Sequence, residues 1–156
     1  MIYLISDTHL HHKNIIDYDN REDNYIDIIK NDFKILNQSD TLIHLGDVFF
    51  SRATESMQIF KNINCHKILI KGNHDNKEDD WYLEHGFDEV YEKFSLIIND
   101  KNILFTHIPQ KINNTIYDIN IHGHLHNDSH HNLDYLGEKH KLVFYRLKTI
   151  NEIIGV

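Results

Sequence analysis

The sequence predicts an α/β fold in which two β-sheets pack face to face with helices outside, and three features carry that prediction. Short apolar runs rich in Ile, Leu and aromatic residues, bounded by Gly or polar residues, alternate with longer amphipathic stretches. In the first half the order is strand, helix, strand, helix, strand, which implies parallel strands joined by right-handed crossovers. The second half lacks helix-length connections, so its strands are expected to pair largely antiparallel. The length of 156 residues, with no repeat, linker or Pro-rich run, fits a single domain over residues 1–156.

Ile2–Ile5, at the start of the chain, reads as a short buried strand. Tyr25, Ile28, Ile29, Phe33 and Leu36 recur at helical spacing and predict a helix over 22–37. Thr41–Leu45 is the second strand, and Met57, Phe60 and Ile63 mark a shorter helix from Thr54 to Asn62. Lys67–Ile70 is the third strand, with a helix over Asp79–Glu84 after it. Glu89–Tyr91, Phe94–Ile98, Ile103–Phe105 and Ile116–Ile121 complete the strands.

Composition excludes several classes. Lys plus Arg number 16 against 24 Asp plus Glu, a net charge of −8, which argues against gripping long nucleic acid by bulk charge. A single cysteine, Cys65, rules out an intrachain disulfide framework and a CxxC zinc ribbon. No apolar stretch approaches the roughly 18 residues a membrane span needs. The N-terminus has no basic region and reaches Asp7 early, so it does not read as a signal peptide, and a cytoplasmic protein is expected. The unusual figure is 14 histidines. Histidine is the commonest metal ligand, so metal chemistry is tested first.

The residues just after each apolar run are informative. The strands lead in turn to Ser6-Asp7-Thr8-His9, to Gly46-Asp47, to Gly72-Asn73-His74-Asp75, to Thr106-His107 and to His122-Gly123-His124-Leu125-His126. Each of the five ends in residues that ligate metals or transfer protons. Sites in open α/β sheets form beyond the carboxyl ends of strands, so these ends are expected to converge. Gly46, Gly72 and Gly123 would allow tight, close-approaching backbone there. Asp7, His9, Asp47, Asn73, His107, His124 and His126 form a mixed N/O donor set without thiolate. Such a set suits Mn²⁺ first, with Fe, Co, Ni or Zn also admissible. Seven donors are too many for one ion and reasonable for two sharing a carboxylate. Two dications against two carboxylates would leave a site of roughly +2 that recruits phosphate, and a pair about 3.5–4 Å apart clamps both oxygens of an in-line displacement.

Together these residues resemble, in order, the five blocks of the calcineurin-like metallophosphoesterases, and the stretch from Ser6 to Ile16 is similar to their compact bacterial and phage branch. The resemblance implies a four-layer αββα sandwich of two mixed sheets flanked by helices. It implies that Asp7, His9, Asp47 and His126 hold one divalent metal ion and Asp47, Asn73, His107 and His124 the other, with Asp47 as the bridge. His74 would serve as general acid or as a cationic stabiliser of the transition state, oriented by Asp75. The implied activity is hydrolysis of small phosphate esters or nucleotides, phosphodiesters ahead of monoesters, by attack of a metal-bridging hydroxide.

The chain departs from the protein phosphatases of that family. Phe50 occupies the position of their second-block acidic residue, Arg52 falls one place late, Lys71 stands where they have Arg, and Asp75 where they have Glu. No insertion is long enough for a cap domain, so the pocket should be shallow and open. Among the remaining residues, His12 is a candidate to line the phosphate pocket. Arg21 and Asn14 are candidates to touch a leaving group, with capping of the first helix as the alternative for Arg21. His44 and His66 read as core or edge residues, and Trp81 and Tyr82 as packing. Two rivals to the enzyme are a non-catalytic scaffold on the same fold and a metal buffer built on the run from His122 to His131.

Overall fold

The computed structural model of the chain describes residues 1–113, 115–126 and 137–156. Its strands are β1 (Ile2–Ile5), β2 (Thr41–His44), β3 (His66–Ile70), β4 (Glu89–Tyr91), β5 (Lys93–Ile98), β6 (Lys101–Thr106), β7 (Ile119–His122), β8 (His140–Leu142) and β9 (Lys148–Thr149). The helices are α1 (Ile15–Asp19), α2 (Tyr25–Asp32), α3 (Ala53–Lys61), α4 (Asp79–Glu84) and α5 (Ile150–Ile154). One sheet runs β4-β3-β2-β1-β9 and the other β5-β6-β7-β8. The chain is thus two mixed sheets flanked by helices, as the alternation of runs predicts.

The first sheet is buried on both faces, which explains its continuous apolar strands. Leu4, Ile43, Leu45, Ile68 and Ile70 point into a core shared with Ile103, Phe105, Ile119 and Ile121 of the second sheet. The alternate residues Ile5, Leu42 and Leu69 face a second core filled by Ile29, Met57, Phe60 and Tyr82 from the helices. Period-two alternation along each strand therefore feeds two cores at once. Among the described residues, no helix is long and apolar enough to cross a membrane.

Three expectations change. The predicted helix over 22–37 is α2 followed by a single 3-10 turn, Phe33–Ile35, and α1 was not foreseen; at five residues it is too short to show helical periodicity. The last predicted strand starts at Ile119 rather than Ile116, whose side chain is exposed. The second sheet is only partly antiparallel: β5 and β6 pair that way, whereas β6 with β7 and β7 with β8 are parallel. A parallel connection needs a dozen or so residues to cross over but no helix. Residues 107–118 supply that length between β6 and β7, with no helix among those described. Among them the backbone N–H of Gln110 donates to Asn120 Oδ1 at 2.8 Å.

Candidate metal centre

Strands β1, β2 and β3 are parallel, as are β6 and β7, so their carboxyl ends emerge at one edge. Ser6 N–H, just past β1, donates to Phe144 O at 3.0 Å and ties the first sheet to the end of the second. Within the second sheet, Val143 N–H donates to His122 O at 2.8 Å and Gly123 N–H to His107 O at 3.0 Å. The five blocks predicted to converge do converge.

The backbone at this edge is strained at the predicted ligands themselves. Asp7, His9, Asp47, His124 and His126 have φ of 51°, 42°, 57°, 68° and 51°. Left-handed backbone is costly for residues other than Gly and persists where the surroundings over-determine it, commonly at functional sites. Of the three turn glycines only Gly46 has positive φ, at 94°. Gly72 and Gly123 are needed for close approach instead. A Cβ on Gly72 would stand 2.2 Å from Asp47 Oδ1, and one on Gly123 would stand 1.9 Å from Ser6 Oγ and 2.5 Å from Asp7 Oδ2.

The side chains meet in two clusters. In one, His126 Nε2 lies 3.3 Å from Asp7 Oδ1 and 3.2 Å from His9 Nε2. In the other, His107 Nε2 lies 3.0 Å from Asn73 Oδ1, 3.2 Å from His124 Nδ1 and 3.4 Å from Asp47 Oδ2. Asp47 Oδ2 is also 3.6 Å from His9 Nε2, so it faces both clusters. Asp7 likewise groups with His9 and His126 and with Asp47 and His107. Donor atoms about 2.1 Å from one ion stand about 3.0–3.4 Å apart, which is close to the spacing seen.

Proton placement makes the fit specific. His107 Nδ1 faces Leu45 O at 2.7 Å, an atom that can only accept, so Nδ1 carries the proton. His126 Nδ1 likewise faces both Asp19 oxygens, at 2.8 and 2.7 Å. In the neutral rings both Nε2 lone pairs therefore point at other lone pairs, and Asp7 Oδ1 is buried with no hydrogen-bond donor among the described residues. Positive charge is what reconciles such a set, and divalent cations fit it. Protons compete for the same place. Burial lowers the affinity of His126 for a proton, but the carboxylates of Asp19 and Asp7 outweigh it and bring its pKa to about 9. Burial would raise Asp47, yet the neighbouring imidazoles and the His74 amide hold it at about 2. Desolvation holds His9 neutral, with a pKa of about 4.

His74 donates its backbone N–H to Asp47 Oδ1 at 2.9 Å while its ring stays half-exposed, with Nε2 4.0 Å from Asp47 Oδ2. Asp75 does not meet the expectation that it orients this ring. Its two oxygens accept from the backbone N–H groups of Gly72, Asp47 and Val48 at 2.8, 2.7 and 3.0 Å. It locks the second and third blocks together, and burial pushes its pKa up to about 6.

Arg21 is buried and inward. Its guanidinium donates to Thr8 O and Asp7 O at 3.1 and 2.7 Å and pairs with Asp19, so it clamps the first block rather than reaching a substrate. Asp19 is the residue that sequence reasoning misses. Lying in a short unforeseen helix, it shows no motif spacing, and only its contact with His126 reveals it. His44 is a core residue as expected: its Nδ1 accepts from Gly46 N–H and its Nε2–H meets Thr8 Oγ1. Tyr82 is buried and Trp81 stacks on His85 and packs against Phe49, in keeping with packing roles. His130 and His131, the far end of the histidine run, lie outside the described residues.

An open cleft of about 380 Å³ lies beside the first cluster, lined by His9, His12, Tyr18, His74 and His126 among others. His12 thus lines the cleft beside the candidate ligands. A larger cleft of about 540 Å³ lies elsewhere, between α2 and α3, and none of the seven ligands lines it.

Comparison with known proteins agrees with this geometry. The family described as the calcineurin-like phosphoesterase superfamily domain matches residues 1–144. An uncharacterised protein of Methanocaldococcus jannaschii is 29% identical over 163 aligned positions, covering 96% of this chain and 83% of that one. A crystal structure of a protein of unknown function from Aquifex aeolicus superposes with a TM-score of 0.81 at 30% identity, covering 97% of this chain and 96% of the other. A structure described as a novel archaeal phosphodiesterase superposes with a TM-score of 0.53 at 25% identity, covering 92% and 81%.

Proposed function

Because the chain belongs to the calcineurin-like phosphoesterase superfamily, we propose that it is a hydrolase of small phosphodiesters working with two divalent metal ions. The observation that carries this reading is the convergence of lone pairs from Asp7, Asp47, Asn73, His9, His107, His124 and His126 in two adjoining clusters with Asp47 Oδ2 between them. Asp7, His9, His126 and Asp47 would hold one ion, and Asp47, Asn73, His107 and His124 the other. When bound, such a pair supplies Lewis-acid charge for phosphoryl oxygens and lowers the pKa of water.

The chain's own residues supply the rest. The half-exposed His74 ring lies beside His9 and lines the cleft, where its proton can pass to, or its charge stabilise, a leaving oxygen. Its N–H bond to Asp47 fixes its place relative to the ions without making it a ligand. The openness of the cleft suits a phosphate with two substituents, and the likeness to an archaeal phosphodiesterase points the same way. Manganese heads the donor preference, because carboxylates, an amide oxygen and imidazoles without thiolate suit it.

The test compares bis-p-nitrophenyl phosphate with p-nitrophenyl phosphate in the presence of Mn²⁺, alongside metal content by mass spectrometry. Diester turnover well above monoester turnover, with two ions per chain, is expected. His74→Asn should lower kcat by about a hundredfold while keeping both ions. A metal-free, inactive protein would favour a scaffold, and metal uptake that survives Asp47→Asn would favour a metal buffer.

A further inference from the structure

Beside the metal centre the chain displays an aromatic group that the hydrolytic chemistry leaves unused. Phe50 is 55% exposed and Tyr18 is 77% exposed, both far outside the core. Isolated exposed apolar side chains need no explanation, but aromatic rings gathered at the mouth of a site do. The Phe50 ring centroid lies 4.0 Å from that of His12 and 6.2 Å from that of His74. The His12 ring lies 6.4 Å from Tyr18 and 5.9 Å from the candidate ligand His9. A connected row of rings therefore leads outward from the metal ligands to Phe50 and Tyr18.

Phe50 is held in place by backbone, not left on a loose loop. Leu10 N–H donates to Val48 O and Phe50 N–H to Leu10 O, both at 3.0 Å, and Ser51 Oγ donates to His11 O at 2.7 Å. In this ladder Phe49 turns inward and is buried, so the strand-like alternation sends Phe50 outward. A rigid, exposed ring costs little conformational entropy when a flat partner stacks on it.

Resting on the phosphodiesterase reading above, we propose that Phe50, with His12 and Tyr18 beside it, is a stacking platform for a planar aromatic group carried by the substrate phosphate. It makes nucleotides, rather than sugar or alkyl phosphates, the preferred class. The net charge of −8 disfavours long polyanions and so favours short or cyclic nucleotides within that class. Phe50 sets specificity and touches none of the reacting atoms.

The test is calorimetric titration of the manganese-loaded protein with adenosine 5′-monophosphate and with ribose 5-phosphate, which differ by the base alone. The ratio of their dissociation constants cancels any general change in phosphate binding. About a tenfold preference for the nucleotide is expected, since stacking on one aromatic side chain commonly contributes that much. In Phe50→Ala and Phe50→Leu the ratio should fall below about threefold, because neither side chain offers a ring face, while Phe50→Trp should preserve or widen it. Equal binding of the two ligands by the unaltered protein overturns the proposal, as does a ratio unmoved in Phe50→Ala. Failure of both ligands to bind a protein that still cleaves bis-p-nitrophenyl phosphate also overturns it and leaves the phosphodiesterase reading standing. A Phe50-dependent ratio in a protein that cleaves no diester would do the reverse.

Discussion

Asp19 shows how a single side chain tunes the candidate centre without entering it. Its carboxylate holds the Nδ1–H of His126 and leaves Nε2 aimed at Asp7 and His9. Carboxylates placed behind a ligating histidine fix its tautomer and raise its basicity. Asp19→Asn keeps the shape and an accepting oxygen but removes the charge. We expect manganese affinity measured by calorimetry to weaken about tenfold at one of two sites. Equal loss at both sites, or none, would contradict the assignment. His44 makes a different claim. Burial depresses its pKa from the ordinary 6.5 to about 3, so the folded chain keeps it neutral over a range in which the unfolded chain protonates it. That contribution to stability is complete above pH 6.5 and is lost as pH falls toward 3. In urea titrations of the metal-free protein, the advantage of wild type over His44→Gln should be constant above pH 6.5. Below that it should narrow by up to about 1.4 kcal/mol per pH unit. A gap independent of pH would mean that His44 takes up a proton as readily in the folded chain as in the unfolded one.

At the level of elements, the site is a product of where strands stop. Apolar runs that end in Asp, Asn or His are visible as pattern, and their shared edge comes from parallel pairing, so the convergence of the seven candidate donors is legible in the sequence itself. The second sheet is less legible, because a parallel step is usually recognised by helix-length spacing. The residues between Thr106 and Ile119 make that crossing with no helix among those described. Glycine roles are legible only as positions. Gly123 has ordinary backbone, and what demands glycine is the nearness of Ser6 and Asp7. Gly123→Ala should therefore push β7 away from β1 at the metal edge. The expected cost is about 1–3 kcal/mol in urea unfolding, accompanied by loss of bound manganese. Stability loss with full metal content would place the strain elsewhere.

For the molecule as a whole, charge explains both what is readable and what is not. A net charge of −8 argues against bulk attraction of long nucleic acid, yet the residues at the strand ends concentrate candidate ligands whose ions would reverse the sign locally. Such a reversal would depend on ions, which composition cannot show, and on left-handed backbone at five candidate ligands, which no propensity predicts. Without ions, Asp7 and Asp47 remain buried beside imidazoles that must take up protons to balance them, so folding and metal binding are coupled. A ligand that binds only the folded chain stabilises it by about 4 kcal/mol at a thousandfold excess over its dissociation constant. For a domain of this size that corresponds to a rise in Tm of about 10 °C. Calorimetric scans should show that rise when manganese is added to chelator-treated protein, and Asp47→Asn should remove most of it because its oxygen faces both clusters. An equal rise in Asp47→Asn would locate the stabilising ions away from the strand ends.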